Sequence, residues 1–313
     1  MRIGLDVMGG DFAPESTILG ALKAVKELPD NIKLVVIGNK KTILSILDRE
    51  NADYNQFEIV NAPEIIEMGD HPAKSFTQKP NSSIAIGFDL LRNGKIDGFA
   101  SAGNTGAMLI GVHYAIRSIP GVIRPAITSP IPTVDGKPTI LLDVGVNPDC
   151  RPDVLYQYGI LGSYYAKYVW SVENPRVGLL NIGSEETKGN LVVKATHELM
   201  KDTNDFNFVG NIEGNEFFRS DKADVVVCDG FVGNVVLKGA EAFYNMIIKR
   251  GIKDKFFEKF NFVNYGGTPI LGINSDVIIG HGISNSIAIK NMILHTKGVI
   301  EAKLTDKFKK VFK

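Results

Sequence analysis

The sequence has little cysteine, no excess of either charge and no long apolar run. Only Cys150 and Cys228 occur among 313 residues. Two distant thiols make no disulfide framework, and without a C-x-x-C pair there is no basis for zinc or dithiol chemistry. A reducing cytoplasm is the expected compartment. Lys plus Arg and Asp plus Glu number 35 each, for a net charge of zero. A protein that coats nucleic acid carries a basic excess, so no nucleic-acid partner is expected. No stretch approaches the ~18 uninterrupted apolar residues of a spanning helix. Asp6 breaks the start of the chain where a leader peptide needs an apolar core. A peripheral membrane surface is the most that this pattern allows. With 44% hydrophobic and 22% charged residues, disorder and low-complexity architectures are excluded.

Several motifs are also missing. No G-x-G-x-x-G follows the first apolar run and no G-x-x-x-x-G-K-[ST] occurs, which disfavours ordinary dinucleotide and NTP binding. A G-x-S-x-G elbow is absent, so a hydrolase serine is not expected. The five histidines are scattered without H-E-x-x-H, so a zinc site is not expected.

What is present is an alternation of short apolar runs and longer helical patterns. Ile3–Val7, Leu34–Ile37, Phe57–Val60, Gly98–Ser101, Thr139–Val144, Val177–Asn181, Val225–Cys228 and Val277–Ile279 read as strands. Several are continuous Val/Ile/Leu runs, the signature of strands buried on both faces. Helical patterns cover Pro14–Leu28, Ser82–Arg92, Thr105–Arg117, Pro152–Trp170, Leu191–Met200, Val232–Arg250 and Ser284–Lys303. The alternation predicts an α/β fold, a mostly parallel sheet with helices on both faces. Without repeats or a linker, residues 1–313 read as a single large domain. Residues 243–264, rich in Phe and Lys, read as a helical excursion from it.

Ligands of open α/β sheets bind outside the carboxyl ends of the strands. Polar, Gly-rich loops fall there one after another: Asp6-Val-Met-Gly-Gly-Asp11, Ser101 to Ala107, Asp143-Val-Gly-Val-Asn147, Asn181 to Gly189, Asn211-Ile-Glu-Gly214, Asp229 to Asn234, Tyr265 to Pro269 and His281 to Asn285. Glycine lets backbone N–H groups approach a ligand, and such a loop feeding a helix is an anion site. One such loop is more often a capped turn. Eight at strand ends point to a ligand. The candidate phosphate- or substrate-binding residues are Asp6, Gly9, Gly10, Asp11, Ser101, Gly103, Asn104, Thr105, Gly106, Asp143, Asn147, Asn181, Glu185, Asp229, Gly233, His281 and Ser284. Cys228 at a strand end is a conceivable nucleophile, but a small buried strand residue is the favoured reading. Oriented amides, hydroxyls and a lysine without a protein nucleophile suit a reaction in which a substrate anion attacks.

The ordered set of loops resembles the phosphate acyltransferases of the PlsX family along nearly the whole length. The carriers are Asp6 to Pro14, Ser101 to Ala107, Leu142 to Asn147, Asn181 to Gly189, Asp224 to Lys238, Tyr265 to Gly272 and His281 to Asn285. The resemblance implies a three-layer α/β/α fold akin to isopropylmalate dehydrogenases and phosphate acetyltransferases. It implies acyl transfer from acyl carrier protein to inorganic phosphate by a homodimer without metal or redox cofactor. The product would feed a membrane acyl-phosphate:glycerol-3-phosphate acyltransferase in phospholipid synthesis. Lys188 and Asn234 carry over as catalytic, one holding phosphate or balancing charge, the other donating to the thioester oxyanion. The sequence departs from the family's pattern at Lys79-Pro-Asn81, Asn215-Glu216, Gly239 and Ala242. A phosphate acetyltransferase-like enzyme using an acyl-CoA is the neighbouring alternative, and a non-catalytic lipid-synthesis scaffold is the non-enzyme one.

Overall fold

The computed structural model describes residues 1–134 and 136–312. Its strands are β1 (Arg2–Asp6), β2 (Lys33–Gly38), β3 (Phe57–Asn61), β4 (Gly98–Ser101), β5 (Ala126–Ile131), β6 (Thr139–Leu142), β7 (Arg176–Asn181), β8 (Asn207–Glu213), β9 (Val225–Val227), β10 (Gly267–Leu271) and β11 (Asp276–Gly280). The helices are α1 (Glu15–Val25), α2 (Lys40–Arg49), α3 (Pro72–Gln78), α4 (Ser83–Arg92), α5 (Thr105–Gly111), α6 (Pro152–Tyr168), α7 (Leu191–Met200), α8 (Gly230–Lys249), α9 (Ser286–Ala302) and α10 (Leu304–Val311). The packing divides into two compact units. One comprises Met1–Ile119 with Phe262–Thr305; the other comprises Pro120–Asn261 with the residues from Asp306 on.

In the first unit the strand order is β3-β2-β1-β4-β11-β10. All neighbours pair parallel except β10 with β11. Ile3, Leu5, Leu34, Val35, Ile37, Phe99, Val277 and Ile278 are fully buried. This is why β1, β2, β4 and β11 read as apolar runs without polar alternation. Phe88 of α4 meets Phe99 edge-on at 5.3 Å and closes one face of that core.

In the second unit the order is β5-β6-β9-β7-β8, with only β5 antiparallel. Val177, Leu179, Leu141 and Val225 to Val227 are fully buried, and α6 buries Tyr158, Leu161 and Tyr165. Helix α6 starts with Pro152 in its first turn, where a missing N–H costs nothing.

All eight expected strands are present. Three more were not expected. Pro130 in β5 and Pro269 in β10 interrupt their apolar runs, and β8 carries Gly210 and Asn211 where apolar residues would mark a strand. The second half of residues 243–264 is not α-helical. Helix α8 stops at Lys249, and beyond it Gly251 N–H donates to the Ile248 carbonyl and Ile252 N–H to the Ile247 carbonyl. With Gly251 at φ +71° this is a Schellman end, which a glycine accepts without strain. Short 3-10 turns at Phe257–Phe260 and Phe262–Asn264 follow. No helix among the described residues is long and apolar enough to cross a membrane.

Candidate active site

In each unit the parallel pairing puts several loops on one sheet edge. In the first unit the carboxyl ends of β1, β4 and β11 lead into Asp6 to Asp11, Ser101 to Gly106 and His281 to Ser284. Asp6 is fully buried and organises the first two. Its Oδ1 accepts from Met8 N–H at 2.9 Å and Gly9 N–H at 3.1 Å. Its Oδ2 accepts from the Ser101 hydroxyl at 2.7 Å, and Ser101 Oγ accepts from Gly103 N–H at 3.0 Å. Burial pushes the Asp6 carboxyl above its ordinary range, while hydrogen bonds from Ser83, Ser101, Met8 and Gly9 pull the other way. Gly9 and Gly103 touch backbone to backbone. A Cβ on Gly9 would lie 2.7 Å from Gly103 Cα, so the two loops meet only without side chains.

Several of the remaining candidates in this unit also bond loop backbone. Asn104 donates to the carbonyls of Glu67, Met68 and Asp70 at 3.1–3.2 Å and caps α5 through Ala107 N–H. It therefore ties the 67–70 loop to the start of α5. Asp11 N–H donates to the Gly282 carbonyl at 2.8 Å, and Gly10 supplies the φ of +115° that precedes it. The Ser284 hydroxyl donates to the His281 carbonyl, and the His281 ring packs on Phe262 at 4.7 Å. Thr105 is exposed and Gly106 half-buried.

The second unit holds Lys188 and Asn234. Strands β6, β9, β7 and β8 run parallel, so Asp143, Asp229, Asn181 and Glu213 stand at one edge. Asp143 is fully buried and gathers its own loop. Oδ1 accepts from the N–H groups of Ile127, Gly145 and Val146; Oδ2 accepts from Val146 N–H, from Asn147 N–H at 2.7 Å and from the Asn147 amide. Burial raises the Asp143 carboxyl from its ordinary range despite these donors. The Asn147 amide also donates to the Pro125 carbonyl at 2.7 Å. The folded loop presents the Val144 carbonyl to Asn234, whose amide donates to it at 3.1 Å. Asn234 is exposed, on the first turns of α8, and Asp229 caps that helix through Val232 N–H at 2.8 Å. Gly233 is required for this approach, since a Cβ there would overlap the Asp143 carbonyl oxygen.

Lys188 lies in the loop after β7. Its side chain is exposed and pairs with no carboxylate among the described residues. Its backbone is fixed at both ends. Lys188 N–H donates to the Glu185 carbonyl at 3.0 Å, and the Lys188 carbonyl accepts from the Asn181 amide at 3.2 Å. The lysine stem runs over Gly183, where a Cβ would be 2.9 Å from Lys188 Cγ. The arrangement offers an ammonium unpaired among the described residues and an exposed amide on one edge of one sheet. These are the elements that stabilise an incoming anion and a developing oxyanion.

Cys228 is buried, with Sγ 3.6 Å from the Asp143 carbonyl, and burial pushes its thiol well above the ordinary range. A thiolate nucleophile is disfavoured there, in line with the packing reading. Asn211 and His197, which contact the Lys188 loop, were not among the candidates. Asn211 sits in a recognised loop motif, but a helical histidine carries no sequence signal.

Residues 1–307 match the protein family described as fatty acid synthesis protein. The chain is similar to a phosphate acyltransferase of Dictyoglomus turgidum, 40% identical over 326 residues that cover 98% of this chain and 96% of the relative. Its fold is similar to that of the EutD phosphotransacetylase from Staphylococcus aureus, with a TM-score of 0.65 at 18% identity, covering 96% of this chain and 94% of that one. A branched-chain phosphotransacylase from Enterococcus faecalis V583 gives 0.64 at 13% identity, covering 96% and 99%. At such identities the structural likeness speaks for the α/β fold.

Proposed function

The chain belongs to the fatty acid synthesis protein family, with phosphate acyltransferases as its relatives, and from that premise we propose the donor, the residues and the setting of its reaction. It is an acyltransferase that moves an acyl group to phosphate. The donor is a fatty acyl thioester of acyl carrier protein. A phosphate oxygen attacks the thioester carbonyl carbon, the C–S bond breaks, and the carrier leaves as a thiolate that takes up a proton. Phosphate is itself the nucleophile, so no acyl-enzyme is needed.

The observation that carries this reading is Lys188: an exposed ammonium without a carboxylate partner among the described residues, on a backbone held by the buried Asn181 amide and by the Glu185 carbonyl. It holds phosphate or balances the growing charge, while the amide of Asn234 donates to the thioester oxygen. The glycine-rich loops of Asp6, Ser101 and Asp143 shape the substrate-binding edges. The enzyme works as a homodimer in the cytoplasm and passes its acyl phosphate to a membrane glycerol-3-phosphate acyltransferase in phospholipid synthesis. Exposed Phe231, Val235, Phe243 and Met246 on α8, followed by Lys249, Arg250 and Lys253, support a surface encounter there.

The test is release of free carrier thiol from long-chain acyl carrier protein, with and without phosphate, beside the same assay with acetyl-CoA. Phosphate-dependent release from the carrier is expected. Turnover of acetyl-CoA alone would establish the phosphate acetyltransferase alternative instead.

A further inference from the structure

We propose that His197 and Asn211 are positioning residues for Lys188, acting through the Glu185 carbonyl. The inference rests on the reading that Lys188 is catalytic. His197 lies on α7 and Asn211 on β8, and both are buried, at 5% and 6% exposure. Asn211 Nδ2 lies 2.9 Å from the Glu185 carbonyl oxygen. A carbonyl only accepts, so the asparagine must donate there, and its Oδ1 is left to face His197 Nδ1 at 3.1 Å. Oδ1 is an acceptor, which requires the proton of His197 to sit on Nδ1. The same Glu185 oxygen accepts Lys188 N–H at 3.0 Å. The chain of bonds thus runs from the imidazole through one amide and one carbonyl to the lysine backbone.

Three features make this an anchor rather than ordinary core satisfaction. The Glu185 carbonyl belongs to an exposed loop, yet its partner comes from inside the unit. The imidazole is oriented from two sides, by the Phe208 ring edge-on at 5.2 Å and by Asn211. Its Nε2 faces the Glu186 carboxylate, on the same loop, at 4.0 Å. Asn181 on β7 donates to the Lys188 carbonyl, while Asn211 on β8 donates to the Glu185 carbonyl that accepts the Lys188 N–H. Two neighbouring strands therefore tie down the peptides on either side of Lys188, which limits where its side chain starts. Small misplacements of such a group are costly to rate.

The test compares His197→Leu, which removes the donor, with His197→Asn, which places an amide donor near the Nδ1 position. Asn211→Leu breaks the same chain one step later and serves if His197→Leu does not fold. Each leucine variant should lower the kinetic parameter that Lys188→Ala lowers, by about tenfold or more. His197→Asn should recover most of it. In a Lys188→Ala background, His197→Leu should have almost no further effect, because the anchor acts through that side chain. Equal factors in both backgrounds would overturn the proposal. Amide exchange of residues 183–189 provides a readout independent of catalysis. It should accelerate in His197→Leu while β7 and β9 stay protected; unchanged exchange in that loop would overturn the anchor. If Lys188→Ala proves fully active, the catalytic reading fails, and the exchange result still decides whether the anchor exists.

Discussion

The side-chain amide of Asn234 donates to the backbone carbonyl of Val144 at 3.1 Å. Neither residue is near the other in sequence. The contact exists because Asp143 folds its loop around one buried carboxylate and because Gly233 lets α8 approach that loop. One amide hydrogen is thereby fixed, and the rotation of the exposed amide is set before any substrate arrives. Preorganisation of this type is what makes a single donor valuable in a transition state.

Lys188→Ala and Asn234→Ala should each reduce turnover by about two to three orders of magnitude. Both side chains are exposed, so the thermal midpoint should hardly move in Lys188→Ala and should fall only modestly in Asn234→Ala, which loses the bond to the Val144 carbonyl, about 1 kcal/mol. Acyl-phosphate formation beside a melting curve checks this. Near-normal turnover in both variants would sink the assignment.

Gly233→Ala should act on the fold as well as on the reaction. The added methyl has no room beside the Asp143 carbonyl, and either α8 or the Asp143 loop must shift. Overpacking at a rigid site costs about 1–3 kcal/mol. The urea midpoint should fall accordingly, and the contact between Asn234 and Val144 should be lost. A variant as stable and active as the parent would show that the loop yields freely.

Asp6 makes a pH prediction. Burial raises its folded-state value above the ordinary 3.8, so the folded protein binds this proton more tightly than the unfolded chain. The resulting contribution is fully present below 3.8 and is lost as pH rises through the folded-state value. Relative to Asp6→Asn, the parent should therefore lose stability as the pH is raised from acid toward neutral. Denaturant midpoints of both proteins across that range measure it. A pH-independent difference would mean that Asp6 titrates alike in both states.

Lys253 and Lys255 are exposed in the segment after α8. Lys→Glu at both should raise the KM for acyl carrier protein or weaken binding to anionic vesicles, more at low salt than at high. Sedimentation at the same salt values reports the proposed dimer. A weakened dimer with carrier and vesicle affinities unchanged would assign the segment to the subunit interface.

The sheet was legible wherever burial on both faces left a continuous apolar run. Ile3–Val7 and Val225–Cys228 are of this kind, because no water-facing side exists to demand polar alternation. Strands β5 and β10 were not legible. Pro130 and Pro269 are locally unfavourable in a strand, and only pairing with β6 and β11 offsets that preference. The candidate site residues of each unit showed the same division. Composition alone marks the glycine, asparagine and serine loops at strand ends, since a ligand edge needs short donors and close backbone approach. It does not distinguish Asp6, Asn104, Asp143 and Asn181, buried side chains whose polar atoms hold loop backbone, from Lys188 and Asn234, whose side chains are exposed. That distinction follows from burial and hydrogen-bond partners. His197 is the extreme case: on α7 it is one residue in an amphipathic pattern, and only the folding of β8 against β7 brings Asn211 between it and the lysine loop. Local preferences are written residue by residue along the chain, whereas a buried polar group acquires its role from whichever distant backbone the fold brings within about 3 Å.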